Sequence, residues 1–231
     1  MQKSFKIVVF TPVWGRHEVL DIWQKGVERI KAFWPEQIKI IPFCMVSNDE
    51  DEAKIEEYGY EYVRCENKPL GNKHNIGLEA LRDIDFDYIL QLGSDDLITN
   101  EYLEYALAAM QSKIDVFGVD RLYFTEIGTE DACKFVLTTH KNVLIGAGRF
   151  ISHKVIKLLD YEMWPHDINR GLDMTSQANI STFGIFPVVI STADICVLDV
   201  KSNTNIWGYA TFHDRYPKVH IETVKALFPE I

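Results

Sequence analysis

Residues 86–97 read FDYILQLGSDDL, and this stretch decides the class of fold. The pattern predicts an apolar strand over 86–92 that ends at two adjacent carboxylates, Asp95 and Asp96. Clustered carboxylates at a strand end are costly unless a positive charge lies between them, and a hard divalent cation with oxygen ligands meets that need. The same residues also fit a plain turn before a helix, with Asp96 or Asn100 as the helix cap.

Strand and helix patterns alternate on the N-terminal side of this stretch. The run KIVVF at 6–10 is typical of a strand buried in a parallel sheet. In all, strands are predicted at 6–10, 38–46, 61–65 and 86–92, and helices at 19–30, 75–81 and 101–110. This order indicates a mostly parallel sheet with right-handed crossovers.

The second half of the chain has a mixed pattern. Residues 116–125 and 133–139 predict an antiparallel pair of strands, and 142–150 a glycine-rich loop. Further helices are predicted at 152–159 and 172–180, and further strands at 184–190 and 195–200. We expect this half to complete the same sheet and to form the other wall of a cleft.

Polar residues follow three of the predicted strands. They are TPVWGR at 11–16, SND at 47–49 and SDD at 94–96. Ligands of parallel α/β sheets bind outside the carboxyl ends of the strands. We therefore expect these three segments to converge on one site.

The charge balance of the chain is acidic. Its 231 residues include 24 Lys and Arg against 34 Asp and Glu, a formal net charge of −10. This balance argues against a protein that grips a nucleic-acid backbone, because phosphate contacts need clustered Lys and Arg. The longest acidic cluster, 48–52, is predicted to be a solvated loop and helix start.

The cysteines and the N-terminus bear on the compartment. The four cysteines lie far apart without a CxxC pair, which argues against a zinc site and for buried free thiols in a reducing environment. No signal-peptide pattern precedes the first strand, and no apolar run approaches the length of a membrane span. We therefore expect a cytoplasmic protein.

A second motif lies at 67–81, which reads NKPLGNKHNIGLEAL. Its key residues are Gly71, Lys73, Asn75 and Gly77. Followed by the strand that ends at Asp95 and Asp96, and preceded by KIVVFTPVWGR at 6–16, this motif resembles the nucleotide-sugar half of a GT-A fold glycosyltransferase of the family 2 type. The resemblance covers roughly residues 5 to 110 well and the rest loosely, and Gly93 stands where many members carry an acidic residue.

The resemblance implies an α/β fold of the GT-A (Rossmann-like) type, with a mostly parallel central sheet, helices on both faces and a mixed C-terminal half. Residues 1–231 then form a single domain, in which 1–112 bind the nucleotide sugar and 113–231 bind the acceptor. The implied activity is that of a hexosyl- or pentosyltransferase (EC 2.4 type). It would use Mn²⁺ or Mg²⁺ and a nucleoside-diphosphate sugar, by default a UDP-sugar, and transfer the sugar to a glycan or another hydroxyl acceptor. The net charge argues against a nucleic-acid acceptor.

The resemblance also implies roles for residues at the donor and the metal. Asp96 would bind the metal, and Asp95 the metal or the ribose. Lys73 would contact the diphosphate through its single ammonium charge, and Arg16 would contact it through the planar set of N–H donors of its guanidinium group. Thr11, Pro12 and Val13 would frame the base, and Asn48, or its neighbours Ser47 or Asp49, would accept hydrogen bonds from it. Asn75 is the remaining implied donor-binding residue. His213, in the polar stretch 202–213, is the candidate for an extra metal ligand, with His220 as a weaker one.

Asp173 opens a predicted helix in the region where the family places its catalytic base. In an inverting transfer, such a base removes the proton of the acceptor hydroxyl as that oxygen attacks the anomeric carbon. Asp167 is a competing candidate, and Asp173 also fits a simple partner of the helix dipole. The residues predicted to bind the acceptor are Gly148, Arg149, Trp164, His166 and Arg170.

Other classes of protein fit the sequence less well. A dinucleotide dehydrogenase needs G-x-G-x-x-G straight after the first strand, where this chain has TPVWGR at 11–16. A sugar nucleotidylyltransferase shares the α/β layout and the metal, but it needs a glycine-rich loop with Arg at that place. A non-catalytic nucleotide- or sugar-binding module on the same fold is the other alternative, and it is favoured if Asp96 binds no metal.

Overall fold

The structure, a computed structural model, describes residues 4–33, 36–137, 143–190, 192, 196–202 and 209–231, and only the backbone of 211 and 212. The strands are β1 (Phe5–Pro12), β2 (Ile38–Val46), β3 (Glu61–Arg64), β4 (Tyr88–Gln91), β5 (Asp96–Ile98), β6 (Val116–Gly118), β7 (Arg121–Glu126), β8 (Asp131–Val136), β9 (Arg149–Ser152), β10 (Val188–Val189), β11 (Val197–Lys201) and β12 (Lys218–His220). The helices are α1 (His17–Ala32), α2 (Asp49–Glu57), α3 (Leu70–Ala80), α4 (Asn100–Gln111), α5 (His153–Leu158), α6 (Leu172–Ser181), α7 (Ala210–His213) and α8 (Ile221–Lys225).

Seven strands form the central sheet, in the order β10-β6-β9-β4-β1-β2-β3. The pairs β1–β2, β1–β4, β2–β3 and β6–β10 are parallel. This confirms the predicted α/β class. Strand β9 is the exception, because it runs antiparallel between β4 and β6. It begins at Arg149, inside the segment 142–150 that the sequence predicts as a loop, and its four residues are too short a run for a clear strand pattern.

Five strands form a second sheet, in the order β12-β8-β7-β11-β5. Strands β6, β9 and β10 of the second half complete the central sheet, as expected, whereas β7, β8, β11 and β12 lie in the second sheet. Strand β5 directly follows the acidic turn and pairs antiparallel with β11, so that Asp96 lies opposite Asp199. This pairing brings the C-terminal part of the chain to the end of β4.

Helices cover both faces of the central sheet, as predicted. On β1, Ile7 and Val9 point to the face that packs against α1, including the buried Trp23. The alternate residues Val8 and Phe10 point to the opposite face, which packs against α3 and α5. Successive side chains of a strand point to opposite faces, so each face buries its own apolar set.

The glycines of the 67–81 motif allow α3 to pack closely. The helix begins at Leu70, earlier than the predicted start at Asn75. A Cβ on Gly71 would lie 2.0 Å from the carbonyl oxygen of Pro165, and one on Gly77 would lie 2.4 Å from the sulfur of Met45. These two glycines are therefore needed for helix packing.

The start of α4 differs slightly from the prediction. The side chain of Thr99, and not that of Asn100, caps this helix by accepting a hydrogen bond from the backbone N–H of Tyr102 at 3.2 Å. The cap fixes the chain just after β5. In the described part of the chain, none of the helices has the length and apolar character needed to cross a membrane.

Candidate active site

Three carboxylates meet where β4 ends and β5 pairs with β11. Oxygens of Asp95, Asp96 and Asp199 all lie within 4.8 Å of one another. The backbone N–H of Gly93 donates to Oδ2 of Asp96 at 2.7 Å, and a Cβ on Gly93 would lie 2.6 Å from that oxygen. A side chain at position 93 would thus displace the carboxylate. We call Asp95, Asp96 and Asp199 the acidic group.

The acidic group is partly neutralised by two cations. Arg16 donates to Asp95 at 2.6 Å, and Lys201 donates to Asp199 at 2.5 Å. Burial, together with the neighbouring carboxylates, holds the pKa of Asp96 well above its usual range and also raises that of Asp199. Oδ1 of Asp199 is buried and has no hydrogen-bond partner within the described part of the chain. Three carboxylates, one with an orphaned oxygen, fit a hard divalent cation such as Mn²⁺ or Mg²⁺.

Asp199 is a functional candidate that the sequence analysis misses. It lies in a run of apolar residues, Val197 to Val200, that the analysis assigns only to a strand. A signal was present: a carboxylate and a nearby lysine, Lys201, interrupt an otherwise apolar strand. Charged residues in such strands are rarely buried without a partner.

The loop that carries Arg16 is held by Asp51, whose side chain is fully buried. Both carboxylate oxygens accept from the N–H of Gly15, at 2.9 and 3.1 Å, and one also contacts Nε2 of His17 at 2.9 Å. Arg16 follows with a left-handed φ of 56°. The prediction of a solvated acidic cluster is therefore wrong for Asp51, because this carboxylate anchors the loop. Asn48 donates to Asp51 at 2.7 Å and caps α2.

Lys73 lies below the same loop. Its side chain is fully buried, and its Nζ donates to Val13 O at 2.8 Å, Ser47 Oγ at 2.9 Å and Asn67 Oδ1 at 3.1 Å. Burial lowers the pKa of Lys73 to about 8. With three neutral acceptors and no exposure, this ammonium is not accessible to a diphosphate. Its predicted role is corrected to holding together the ends of β1 and β2.

A small cavity opens beside the acidic group. Its volume is about 150 Å³. It is lined by Phe10, Pro12, His74, Gln91, Leu92, Gly93, Asp96, Gly146, Ala147, Leu172 and Asp173. Asp96 and Asp173 thus face one space, although they come from β5 and from the first turn of α6. We call this space the site cavity.

Asp173 is held at the rim by the glycine-rich segment. Its Oδ2 accepts from the backbone N–H of Gly146 at 3.0 Å. A Cβ on Gly146 would lie only 2.0 Å from Oδ1 of Asp173, so this position leaves no room for a side chain. Asp167, the competing candidate for a base, is not among the described residues that line the cavity.

Two neutral polar side chains also line the site cavity. His74 is buried, and its Nδ1 lies 2.7 Å from the carbonyl oxygen of Leu70. Burial lowers the pKa of His74 to about 4, so the ring is neutral near pH 7. Gln91 comes from the end of β4, and its Oε1 is buried without a hydrogen-bond partner in the described part of the chain.

Most of the other residues predicted to bind the donor are buried. Thr11 and Val13 are fully buried, whereas Pro12 lines the cavity and Trp14 is 52% exposed. Asn75 is buried and contacts neighbouring backbone: its Oδ1 accepts from the N–H groups of residues 163 and 164, and its Nδ2 donates to the carbonyl of residue 164. It therefore fixes this loop.

Three of the residues predicted to bind the acceptor are buried. Arg149 donates to Asp173 O, Ser176 Oγ and Leu144 O, which ties the glycine-rich segment to α6. Gly148 accepts from the hydroxyl of Tyr102 at 2.6 Å through its carbonyl. Trp164 is also buried. The structure therefore gives these three residues a supporting role beneath the site, in place of the predicted contact with the acceptor. His166 and Arg170 are exposed.

His213 lies apart from the acidic group. It contacts Asp131 at 3.4 Å and Lys218 at 2.8 Å. Within the described residues, the third carboxylate of the acidic group comes from Asp199, and His213 is not part of it. Of the polar stretch 202–213, residues 203–208 lie outside the described residues.

A larger cavity, of about 520 Å³, lies between α1, the β7–β8 turn and α8. It contains none of the acidic group and neither Asp173 nor Arg16. Size alone favours this cavity, but the smaller one is lined by Asp96 of the acidic group and by Asp173. The chemistry therefore identifies the site cavity as the candidate active site.

No protein-family model matches the sequence, and no curated protein sequence matches it. Several solved structures do match in fold. Residues 1–349 of TarS from S. aureus are 14% identical, with a TM-score of 0.60, and the match covers 84% of this chain and 60% of that one. The mannosyltransferase PcManGT from Pyrobaculum calidifontis, in complex with GDP-Man and Mn²⁺, is 11% identical, with a TM-score of 0.59 over 90% of this chain and 59% of that one.

A third match is CMP:2-keto-3-deoxy-manno-octonic acid synthetase in complex with CTP. It is 13% identical, with a TM-score of 0.56, and covers 97% of this chain and 99% of that one. The chain therefore spans about 60% of the TarS fragment and of PcManGT, but nearly all of the synthetase. These likenesses confirm the predicted GT-A, Rossmann-like fold.

Proposed function

We propose that this chain is a metal-dependent glycosyltransferase that transfers a sugar from a nucleoside-diphosphate sugar to an acceptor hydroxyl, with inversion. A UDP-sugar is the first donor to test. The observation that carries this proposal is the site cavity, in which a carboxylate of the acidic group and Asp173 face one space. The fold supports it, since PcManGT is a complex with GDP-Man and Mn²⁺, and the TarS fragment also forms a complex with UDP.

Asp95, Asp96 and Asp199 are the residues that would hold the metal. Their oxygens are the ligands that Mn²⁺ and Mg²⁺ prefer, and the orphaned oxygen of Asp199 would gain a partner. When bound, the cation would offset negative charge on the diphosphate. Arg16 already lies at Asp95 and would add a planar, permanently charged donor group.

The loop after β1 would bind the nucleoside. Pro12 lines the site cavity and Trp14 is exposed, so the loop offers an apolar face to a base. Lys73 and Asp51 hold the loop from below through Val13 and Gly15. Neither of these two residues needs to touch the donor to affect its binding.

Asp173 would act as the general base. It would take the proton of the acceptor hydroxyl while that oxygen forms a bond to the anomeric carbon. The bond from this carbon to the diphosphate oxygen breaks at the same time, and its electron pair leaves with the nucleoside diphosphate. Attack and departure on opposite sides of the carbon invert its configuration. His166 and Arg170, both exposed near the start of α6, would contact the acceptor, a glycan or another hydroxyl compound.

Calorimetric titration with UDP, with and without Mn²⁺, tests the proposal. We expect Mn²⁺ to strengthen UDP binding by more than about 100-fold, since a cation on a diphosphate contributes several kcal/mol. Asp96→Asn and Asp199→Asn should each remove most of that gain. Asp83→Asn, the same change at an exposed position away from the cavity, should keep it. If neither UDP nor GDP binds with Mn²⁺ present, the proposal fails.

A sugar nucleotidylyltransferase is the second candidate, because the synthetase matches this chain over nearly its whole length. The products distinguish the two reactions. A glycosyltransferase releases a nucleoside diphosphate from a sugar nucleotide, whereas a nucleotidylyltransferase releases pyrophosphate from a nucleoside triphosphate. Phosphorus NMR of the wild type with UDP-glucose, and separately with CTP and a sugar acid, identifies either product. Binding without either product would indicate a non-catalytic module.

A further inference from the structure

We propose that the site cavity receives a neutral sugar ring with free hydroxyl groups, rather than a sugar acid, and that His74 and Gln91 recognise it. This inference rests on the proposed function, because the sugar is the group that the donor would deliver to this cavity.

The residues that line the cavity favour a neutral sugar over an anionic one. Asp96 and Asp173 line it, and no Lys or Arg side chain is among its lining residues in the described part of the chain. Three cations near the cavity are engaged with protein groups: Arg16 with Asp95, Lys201 with Asp199, and Arg149 with the carbonyl oxygens of Leu144 and Asp173. A sugar carboxylate would therefore lie beside the carboxylate of Asp173, with no Lys or Arg side chain in the described cavity lining to pair with it.

His74 offers a hydrogen-bond acceptor. A backbone carbonyl can only accept, so the contact with Leu70 places the ring proton on Nδ1 and leaves Nε2 with a lone pair. The ring is neutral near pH 7, because burial lowers its pKa to about 4. No other hydrogen-bond partner of His74 is found among the described residues. The tilted Trp164 ring, with its centroid 4.9 Å away, holds the imidazole in place.

Gln91 offers an amide on a rigid strand. Its backbone carbonyl accepts from Gly148 N at 2.8 Å, which fixes the end of β4. The Oε1 atom is buried and has no hydrogen-bond partner among the described residues, and a buried acceptor without a partner is unusual in folded proteins. A sugar hydroxyl can both donate to an amide and accept from it, so it satisfies this side chain whichever way the amide points.

The size of the cavity fits one sugar ring. Its volume of about 150 Å³ is half the lower limit of a typical pocket for a drug-sized ligand, about 300 Å³. It therefore takes one part of a donor and not the whole molecule. The apolar side chains of Phe10 and Leu172 supply surface for the C–H groups of a ring.

UDP-glucose and UDP-glucuronate form a matched pair of probes, because they differ only in an alcohol and a carboxylate at one carbon. Calorimetry with Mn²⁺ gives their affinities relative to UDP. We expect UDP-glucose to bind the wild type at least about tenfold more tightly than UDP-glucuronate. Gln91→Met and His74→Phe should each lower the affinity for UDP-glucose about threefold to tenfold, the equivalent of one lost hydrogen bond. The affinity for UDP should not change. Gln111→Met, the same change at an exposed site on α4, should alter neither affinity.

The outcomes separate this inference from the proposed function. If UDP binds with Mn²⁺ but the two sugar nucleotides bind equally, or UDP-glucuronate binds more tightly, the inference is wrong and the metal–diphosphate site stands. The same holds if Gln91→Met, with an unchanged melting temperature, keeps full affinity for UDP-glucose. If GDP binds but UDP does not, the same test compares the affinities of GDP-mannose and GDP for the wild type and for Gln91→Met. If no diphosphate binds, both proposals fall together.

Discussion

Replacing Gly146 by alanine is expected to displace the proposed base without disturbing the metal site. The new Cβ would lie 2.0 Å from Oδ1 of Asp173, whereas ordinary contacts begin near 3.4 Å. The carboxylate therefore has to move by about 1.4 Å. The backbone itself accepts alanine, because Gly146 is not among the residues with positive φ.

The size of the effect follows from this displacement. A misplacement of about 1 Å at a reacting group can cost roughly 100-fold in rate, so we expect the kcat of Gly146→Ala to fall about 100-fold. Stability should hardly change. The substitution gains about 0.4–1 kcal/mol by restricting the unfolded chain. It also loses the hydrogen bond from Gly146 to Asp173, a loss of about 0.5–1.5 kcal/mol.

Release of UDP from a UDP-sugar with water as the acceptor measures the rate, and calorimetry with Mn²⁺ and UDP monitors the metal site. The affinity for UDP should stay at the wild-type value, because Asp173 is not part of the acidic group. In an Asp173→Ala background, Gly146→Ala should cause no further loss, since both changes act on the same carboxylate. A full additional loss in that background, or an unchanged rate in the single variant, would refute the reasoning.

Three further predictions concern stability, each measured by urea unfolding. Asp51→Asn should lower the free energy of unfolding by about 1–3 kcal/mol, because a buried acceptor loses charged hydrogen bonds, while the exposed Asp49→Asn should change it by less than about 0.5 kcal/mol. Lys73 has a pKa of about 8 against the usual 10.5, so between these pH values the unfolded chain binds more protons. The wild type should therefore gain up to about 3 kcal/mol over Lys73→Met as pH rises through this window, and a constant difference would contradict the linkage. Gly71→Ala should cost more than about 2 kcal/mol, because the added Cβ meets the backbone oxygen of Pro165.

The sequence predicts the parallel half of the fold well, because its signals are local. The run at 6–10 and the helical spacing over 19–30 each depend on a few neighbouring residues. In the second sheet, the antiparallel pair β7–β8 is predicted, because its strands are neighbours in the sequence. The pairings of β11 with β5 and of β12 with β8 are not predicted, since they join distant segments. Strands β5 and β9 have only three and four residues, too few to show a period.

The sequence predicts where the motif residues lie better than it predicts the role of each residue. Asp95, Asp96 and Arg16 meet at one place, as expected from strand ends that share an edge. Lys73 and Asn75 belong to the same motif but are buried and support the loops of the site. The spacing of residues in the motif does not distinguish a side chain that faces a ligand from one that supports a loop, because either kind can occur on the same helix.

The roles of Asp199 and Asp51 cannot be inferred from the residues next to them in the sequence. Asp199 completes the acidic group only because β11 pairs with β5, a contact that depends on the second sheet. Asp51 lies in an acidic run that looks solvated, yet the loop after β1 folds over it. In both cases the environment comes from a segment far away in the sequence.

The antiparallel ladder between β5 and β11 makes this protein difficult to divide. Because Asp96 and Asp199 lie opposite each other in one ladder, a chain cut before Val197 loses a carboxylate of the site together with a strand. The N-terminal half therefore cannot be joined to a different C-terminal half as an independent unit. Any fusion or chimera built from this protein has to carry β11 along with β5, and insertions that keep the site intact belong outside that pair.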